Sequence, residues 1–303
     1  MATEDYLSDP VVLMQVYLPF ERTNLKLGLQ PLALDTWLEV DEQLVLYGQT
    51  KAQLLNHRRD DMWVSSPGST GAQQEVLDLV IEFLCQQHPD LYHLSDGKIT
   101  VLPLQQTWDP QAFAACPLDL AARLIQEDLC VMQPVSESYQ LTAASVCFPS
   151  HWHLRSKWRQ PVATIHDPVP GYEAKLHSPV DTFLTKLTVD RPGYRFNWSL
   201  VDTPELFLGD MDSPAPSSKS ISPDLEGSRW IRVERQTLRR LPQTQAVLFT
   251  IRVYVYPLQI LRDYPDAAQR LADTIEVMPE AMQQYKRIDS IRAELLSYLG
   301  SLA

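Results

Sequence analysis

Residues 230–258 read WIRVERQTLRRLPQTQAVLFTIRVYVYPL, and their pattern decides the fold. Two runs rich in β-branched and aromatic residues, 230–241 and 246–258, flank Pro242, Gln243, Thr244 and Gln245. This predicts an antiparallel hairpin. Side chains alternate across a strand, so Val247, Phe249, Ile251, Val253 and Val255 share one face, and Thr250, Arg252, Tyr254 and Tyr256 share the other. In the first strand Arg232, Glu234 and Gln236 point one way; Arg235, Thr237 and Arg239 point the opposite way.

Before the hairpin, 194–201 (YRFNWSLV) alternates large and polar residues as a further strand would. Residues 139–148 (YQLTAASVCF) predict a strand or hairpin, and 161–166 (PVATIH) a short strand closed by Pro168 and Pro170. The N-terminal region carries helical spacing instead. Asp35 is placed to cap a helix in which Trp37, Val40, Leu44 and Tyr47 recur, running to about His57. Ser69, Thr70 and Gly71 precede a second helix, whose apolar face is Val76, Leu79, Val80, Phe83 and Leu84 and which His88 and Pro89 stop. Pro117, Leu118 and Asp119 open a third, and helices over 258–275 and 288–299 follow the hairpin. Residues 203–228, rich in Pro, Ser and Asp, offer little apolar surface and are expected to form a mobile surface loop. The expected fold is α+β: a helical N-terminal part over 1–135, then a five-stranded antiparallel sheet with packed helices over 136–303, in one compact body.

Composition excludes several functions. The chain has 303 residues, 45% hydrophobic and 21% charged, with a net charge of −12. That balance argues against nucleic acid and against an anionic membrane surface, both of which need a cationic footprint. No G-x-G-x-x-G is present, and Cys85, Cys116, Cys130 and Cys147 form no C-x-x-C. Dinucleotide, zinc-ribbon and iron–sulfur sites are therefore not expected within these residues. The most apolar run, 76–85, contains Asp78 and Glu82 and is shorter than the ~20 residues a bilayer needs. The N-terminus is acidic rather than signal-like, so a soluble cytoplasmic protein is expected.

Two clusters could carry chemistry. The first is CFPSHWH at 147–153, with Lys157 and then IHDPVP at 165–170. His151 and His153, two apart on a strand, would share a face and could bind a metal; alternatively they flank Trp152 at a polar strand end. Cys147 could supply a thiolate to iron; the alternative is a buried, inert thiol. His166 precedes a proline-stiffened turn that could aim one side chain at a cofactor. Its alternative is a core histidine bonded to a backbone carbonyl. The second cluster is the arginine-rich strand at 232–240, which Arg252, Arg195 and Asn197 could extend into one polar layer. With Trp198, Trp230, Tyr254 and Tyr256 interleaved, it predicts a small-ligand pocket rather than a merely solvated face. Arginine forks suit carboxylates. Glu234 could serve as a base or as a counter-charge to an amine.

Taken in order, these segments resemble a known family. CFPSHWHLRSKW and IHDPVPGY, then YRFNW, then RVERQTLRRLPQTQAVLFTIRVY, then Tyr285 and Lys286 are similar to the α-subunit family of haem-dependent oxidative N-demethylases. GLQPLALDTWLEVDE at 28–42 is similar to its N-terminal signature. The resemblance implies a PAS-like haem-binding sheet and O2-dependent demethylation of a small methylated amine with release of formaldehyde. It implies haem b as cofactor, and electrons from a separate reductase carrying flavin and an iron–sulfur centre. The family's motif histidine falls at His166, implied as the iron ligand. Arg195, Arg235, Arg252, Trp198 and Lys157 are the implied cofactor-binding residues, and Glu234 and Arg232 the implied catalytic pair. Two other classes stay open: a haem-binding PAS-like sensor without turnover, and a scaffold that has lost the haem.

Overall fold

The computed structural model describes residues 15–20, 27–136, 138–209 and 225–302. The chain begins with β1 (Gln30–Pro31), α1 (Leu44–His57), α2 (Arg59–Met62), β2 (Trp63–Ser65) and α3 (Thr70–Gln87). A small meander follows, β3 (Tyr92–Ser95), β4 (Lys98–Val101) and β5 (Gln106–Trp108), then α4 (Pro117–Leu124). Next come the strands β6 (Asp128–Val135) and β7 (Ser138–Ser145), and the short helices α5 (Leu154–Lys157), α6 (Val162–His166), α7 (Tyr172–Lys175) and α8 (His177–Lys186). Strands β8 (Gly193–Val201), β9 (Trp230–Arg240) and β10 (Val247–Pro257) complete the main sheet, and α9 (Pro265–Glu276), α10 (Glu280–Tyr285) and α11 (Arg292–Gly300) end the chain.

The fold is α+β. Its main sheet is antiparallel, in the order β1-β8-β9-β10-β6-β7-β2, and β3-β4-β5 form a second, three-stranded sheet. The predicted hairpin is its centre, paired from Val247 opposite Arg240 to Pro257 opposite Trp230. Its turn is gripped from α3. The Glu75 carboxylate accepts the backbone N–H of Gln243 at 2.6 Å and of Thr244 at 2.8 Å, and the Thr244 hydroxyl at 2.6 Å. Such charge-assisted bonds are stronger than neutral ones, so they fix where the turn falls.

Each sheet face carries its own layer. One face packs Leu129, Val131 and Leu248 against Val76, Leu77, Leu84, Leu118 and Leu120 of α3 and α4. Further along the same face, Ile231, Val233, Tyr254 and Tyr256 meet Leu271, Ile275, Ile288 and Leu295 of the C-terminal region. The opposite face packs Cys130, Met132, Ala144 and Val247 against Leu154, Val162 and Leu184 of α5, α6 and α8. Each buried leucine or isoleucine contributes about 1.5–3 kcal/mol through removal of apolar surface from water.

The structure corrects several expectations. The helix expected from Asp35 begins at Leu44; Asp35 lies in a 3-10 turn and caps nothing. The cause is tertiary. The N–H groups of Glu39 and Asp41 donate to the side chains of Glu127 at 2.9 Å and Gln126 at 3.2 Å, which draws this segment away from helix. Residues 161–166 are not a strand. Pro161 makes one bridge to Gln140 and then serves as N-cap of α6, because a residue without N–H cannot extend a ladder. The region 1–135 is not purely helical: it holds the small sheet and β6, which lies inside the main sheet between β10 and β7. The sheet accordingly has seven strands rather than five. The helix expected over 258–275 divides into a 3-10 turn, Leu258–Asp263, and α9, whose first residue is Pro265. Of the expected loop 203–228, residues 210–224 lie outside the described residues. Among the described residues no helix is long and apolar enough to cross a membrane.

Candidate functional site

Alternation along β8 and β9 builds a polar patch on one sheet face. Register places Arg195 opposite Gln236, Asn197 opposite Glu234 and Ser199 opposite Arg232. These residues point to the face that α5–α8 cover. The Glu234 carboxylate is held by three donors: Gln236 Nε2 at 2.9 Å, Asn197 Nδ2 at 3.3 Å and Ser150 Oγ at 3.3 Å. Lys286, just beyond α10, reaches over the sheet to donate to the Trp198 carbonyl at 2.5 Å and to Asn197 Oδ1 at 3.5 Å. Its ammonium also sits 4.4 Å from the centre of the Trp198 ring. Burial pushes the Lys286 ammonium down to about 8; Glu234 opposes that shift and Arg195 adds to it.

His166 ends α6 beside this patch. Its Nδ1 lies 2.8 Å from the Val162 carbonyl, and its ring stacks on Tyr172 with centroids 4.9 Å apart and planes 11° from parallel. A carbonyl only accepts, so Nδ1 carries the proton and Nε2 keeps a lone pair. Burial lowers the His166 pKa, the Val162 hydrogen bond opposes this, and the nearby Arg195 and Lys157 charges lower it further. The imidazole is therefore neutral at pH 7. Lys157 Nζ donates to the Ile165 carbonyl at 2.9 Å, which ties α6 to α5. Arg195 is itself half-buried, with an Nε that is buried and has no hydrogen-bond partner among the described residues.

The turn after β7 borders the patch. The Asp128 carboxylate accepts the N–H of Cys147 at 2.8 Å and of Phe148 at 2.9 Å, and the buried Lys51 ammonium stands 3.8 Å from it. From the other side the fully buried Arg232 donates to the Phe148 carbonyl at 2.6 Å and the Leu206 carbonyl at 3.0 Å. Clamped this way, the chain presents Ser150 to Glu234 and puts His151 in the left-handed region at φ 59°. For a residue with a Cβ that conformation costs about 1–2 kcal/mol. His151 Nδ1 is buried and has no hydrogen-bond partner among the described residues. Burial, then Arg287 and Arg232, depress the His151 pKa to about 4, with Asp202 opposing.

The structure divides the residues expected to form one polar layer. Arg195, Arg232 and Glu234 share the α5–α8 face with Asn197 and Gln236, and His166 and Lys157 lie against it. Arg235, Arg252 and Trp198 project from the opposite face, since each is one residue out of phase with Glu234, Val253 or Asn197. There Arg235 binds Glu39 at 2.9 Å and the carbonyls of Thr36 and Trp37. Arg252 grips both oxygens of Asp41 between the rings of Tyr47 and Tyr254. The Trp198 ring packs edge-on against Phe20. Tyr254 and Tyr256 are buried on that same face, away from the Glu234 patch, whereas Trp230 is in phase with Glu234 on β9. Arg232 has both Nη groups on backbone carbonyls, which makes it a positioning residue for the 147–151 turn. Cys147 is buried, and burial pushes its thiol well above the usual range, so it is inert. His151 and His153 lie in a turn, not a strand, and do not form a shared face. Among the described residues no group of three or more His, Cys, Asp or Glu could hold a metal ion.

Sequence reasoning missed the Asp128–Lys51 pair and the role of Ser150. Neither carries a local signal: Lys51 and Asp128 sit in unrelated helix and strand patterns, and only the fold joins them. Lys286 was visible as part of a motif but not as a neighbour of Glu234. The haem-dependent oxidative N-demethylase, alpha subunit-like family model matches residues 28–296, which takes in every side chain of this patch, and the chain belongs to that family.

Proposed function

We propose that the protein binds one b-type haem non-covalently, with His166 as iron ligand, and oxidatively demethylates a small methylated amine with O2 and electrons from a separate reductase. The observation that carries this reading is His166: a neutral imidazole whose Nδ1–H is held by a backbone carbonyl, leaving the Nε2 lone pair free to bind iron. The surrounding charge fits the group. Arg195 and Lys286 lie near Glu234 and Arg287 near His151, and those cations, in an acidic chain, suit propionate carboxylates. Arg195, with its orphan Nε, is the proposed propionate partner; Arg235 and Arg252 hold the N-terminal segment instead. The PAS-like reading is supported by the five long strands, which lie in the order β7-β6-β10-β9-β8 with α5–α8 inserted between β7 and β8.

Bound haem supplies the activation of O2 that oxidises the N-methyl group. The chain's own residues hold the rest. Glu234, fixed by three donors, accepts an N–H from the amine and balances its charge. Asn197 and Gln236 keep the carboxylate from rotating, and Ser150 of the 147–151 turn adds a third donor. The description of the family as an alpha subunit, and the lack of flavin or cluster motifs within these residues, support an electron-donating partner.

The test is spectroscopic and then chemical. Protein expressed with a haem precursor should show a Soret band and bound iron. With O2, a suitable reductase and a series of N-methyl amines it should release formaldehyde. A protein free of haem under these conditions sinks the reading. Bound haem with no formaldehyde from any amine leaves the binding module.

A further inference from the structure

His166 has a second contact besides its hydrogen bond, and the chain after it is shaped to make that contact. Two turns follow in succession. The Val169 N–H donates to the His166 carbonyl at 2.8 Å, and the Tyr172 N–H donates to the Val169 carbonyl at 3.0 Å. Pro168 and Pro170 have their φ angles fixed by their rings, and Gly171 takes φ 78°, which glycine adopts without steric cost. These turns bring Tyr172, the first residue of α7, back onto the residue six positions before it. Its ring lies 11° from parallel to the imidazole, with centroids 4.9 Å apart. Carbon atoms in contact are about 3.5–4 Å apart, so the two rings are offset, an arrangement that aromatic pairs prefer to a face-to-face sandwich. Tyr172 is 3% exposed. Among the described residues it stands outside the apolar clusters that pack on the sheet, and its ring lies instead on the histidine.

One hydrogen bond does not aim a ring. With Nδ1 held 2.8 Å from the Val162 carbonyl, the imidazole can still swing about that contact and carry Nε2 with it, because a carbonyl oxygen accepts over a broad range of directions. A ring lying flat on one face of the imidazole removes that freedom. We propose that Tyr172 is a positioning residue for His166: its ring sets the plane of the imidazole and, together with the Val162 carbonyl, the direction of the Nε2 lone pair. The inference rests on the haem reading above. A ligand oriented in advance spares the entropy of ordering it when iron binds. The stack needs the aromatic ring and not the hydroxyl, so phenylalanine should replace tyrosine here and leucine should not.

The experiment uses the full chain loaded with ferric haem, cyanide as the second iron ligand, and the variants Tyr172→Phe and Tyr172→Leu. In such a complex the unpaired spin spreads the proton NMR signals of the haem methyl groups according to the plane of the axial imidazole. Tyr172→Phe should keep the parent pattern. Tyr172→Leu should keep a Soret band but change the order or spread of the methyl signals, or split them into two sets. A second measurement needs no variant of Tyr172. In the haem-free parent, the ring current of Tyr172 should displace the His166 ring-proton signals upfield, those signals being identified by their loss in His166→Ala. Three outcomes overturn the proposal: the parent methyl pattern in Tyr172→Leu, even with a lowered melting temperature, which marks Tyr172 as packing alone; an altered pattern in Tyr172→Phe; or undisplaced His166 signals in the haem-free parent. The last two decide the matter where Tyr172→Leu does not fold. A parent protein without a Soret band instead overturns the haem reading itself, so the two failures are distinguishable.

Discussion

At the scale of single residues, His166 and Glu234 have separable tasks. His166→Ala should abolish haem retention or change the iron's coordination spectrum, while His153→Ala leaves both unchanged; absorption spectra of the purified variants decide it. Glu234→Gln keeps the shape and removes the charge. It should retain haem and lower turnover per KM by about 10–100-fold, since a hydrogen bond to a charged group is worth about 1.5–3 kcal/mol. Formaldehyde assays across substrate concentration check whether the loss falls mainly in KM. The pH dependence of stability belongs here too. His151 is held well below the usual 6.5, at about 4. Between those values the unfolded chain binds more protons than the folded one, so stability is complete above 6.5 and falls as pH drops toward 4. Urea midpoints measured from pH 7.5 to 4.5 should decline, and His151→Gly should flatten part of that slope.

At the scale of elements, β10 shows how far a pattern can be read. Its alternation named both faces correctly, because period-two order is a local property of a strand. What the pattern could not say is which neighbouring residues line up with it. Arg252 and Arg195 both read as members of the Glu234 layer, yet Arg252 is in phase with Arg235 and faces Asp41. Phase between strands depends on pairing register, which one strand does not encode. A similar non-local limit explains the start of α1. Trp37 and Val40 have helical spacing, but side chains of Glu127 and Gln126 take the backbone donors, and those partners lie some 85 positions away. The motif singles out His166 as a candidate; Asp128 and Lys51 carry no such signal, because their pairing exists only in three dimensions. The Arg252–Asp41 pair should matter to β10 as an element. Removing one partner of a buried pair leaves an uncompensated charge, so Arg252→Leu should destabilise the fold by about 3–5 kcal/mol in chemical denaturation.

At the scale of the whole molecule, the site belongs to no single segment. It draws on the turn after β7, on α6, on two strands of the sheet and on the stretch after α10, where Lys286 contacts Trp198 and Asn197. Turnover should depend on an added electron donor: sustained NAD(P)H-driven formaldehyde release by the isolated chain would show that electrons enter by another route. The sheet order has a consequence for synthesis. β6 occupies the middle of the sheet, but its partner β10 lies more than a hundred residues later in the chain. A ribosome adding about 5–20 residues per second needs on the order of ten seconds to cover that distance. For that interval one edge of β6 waits without its ladder, and unpaired strand edges are templates for aggregation. Yield in a heterologous host should therefore respond to slower growth temperature or added chaperones before it responds to any change in the finished fold.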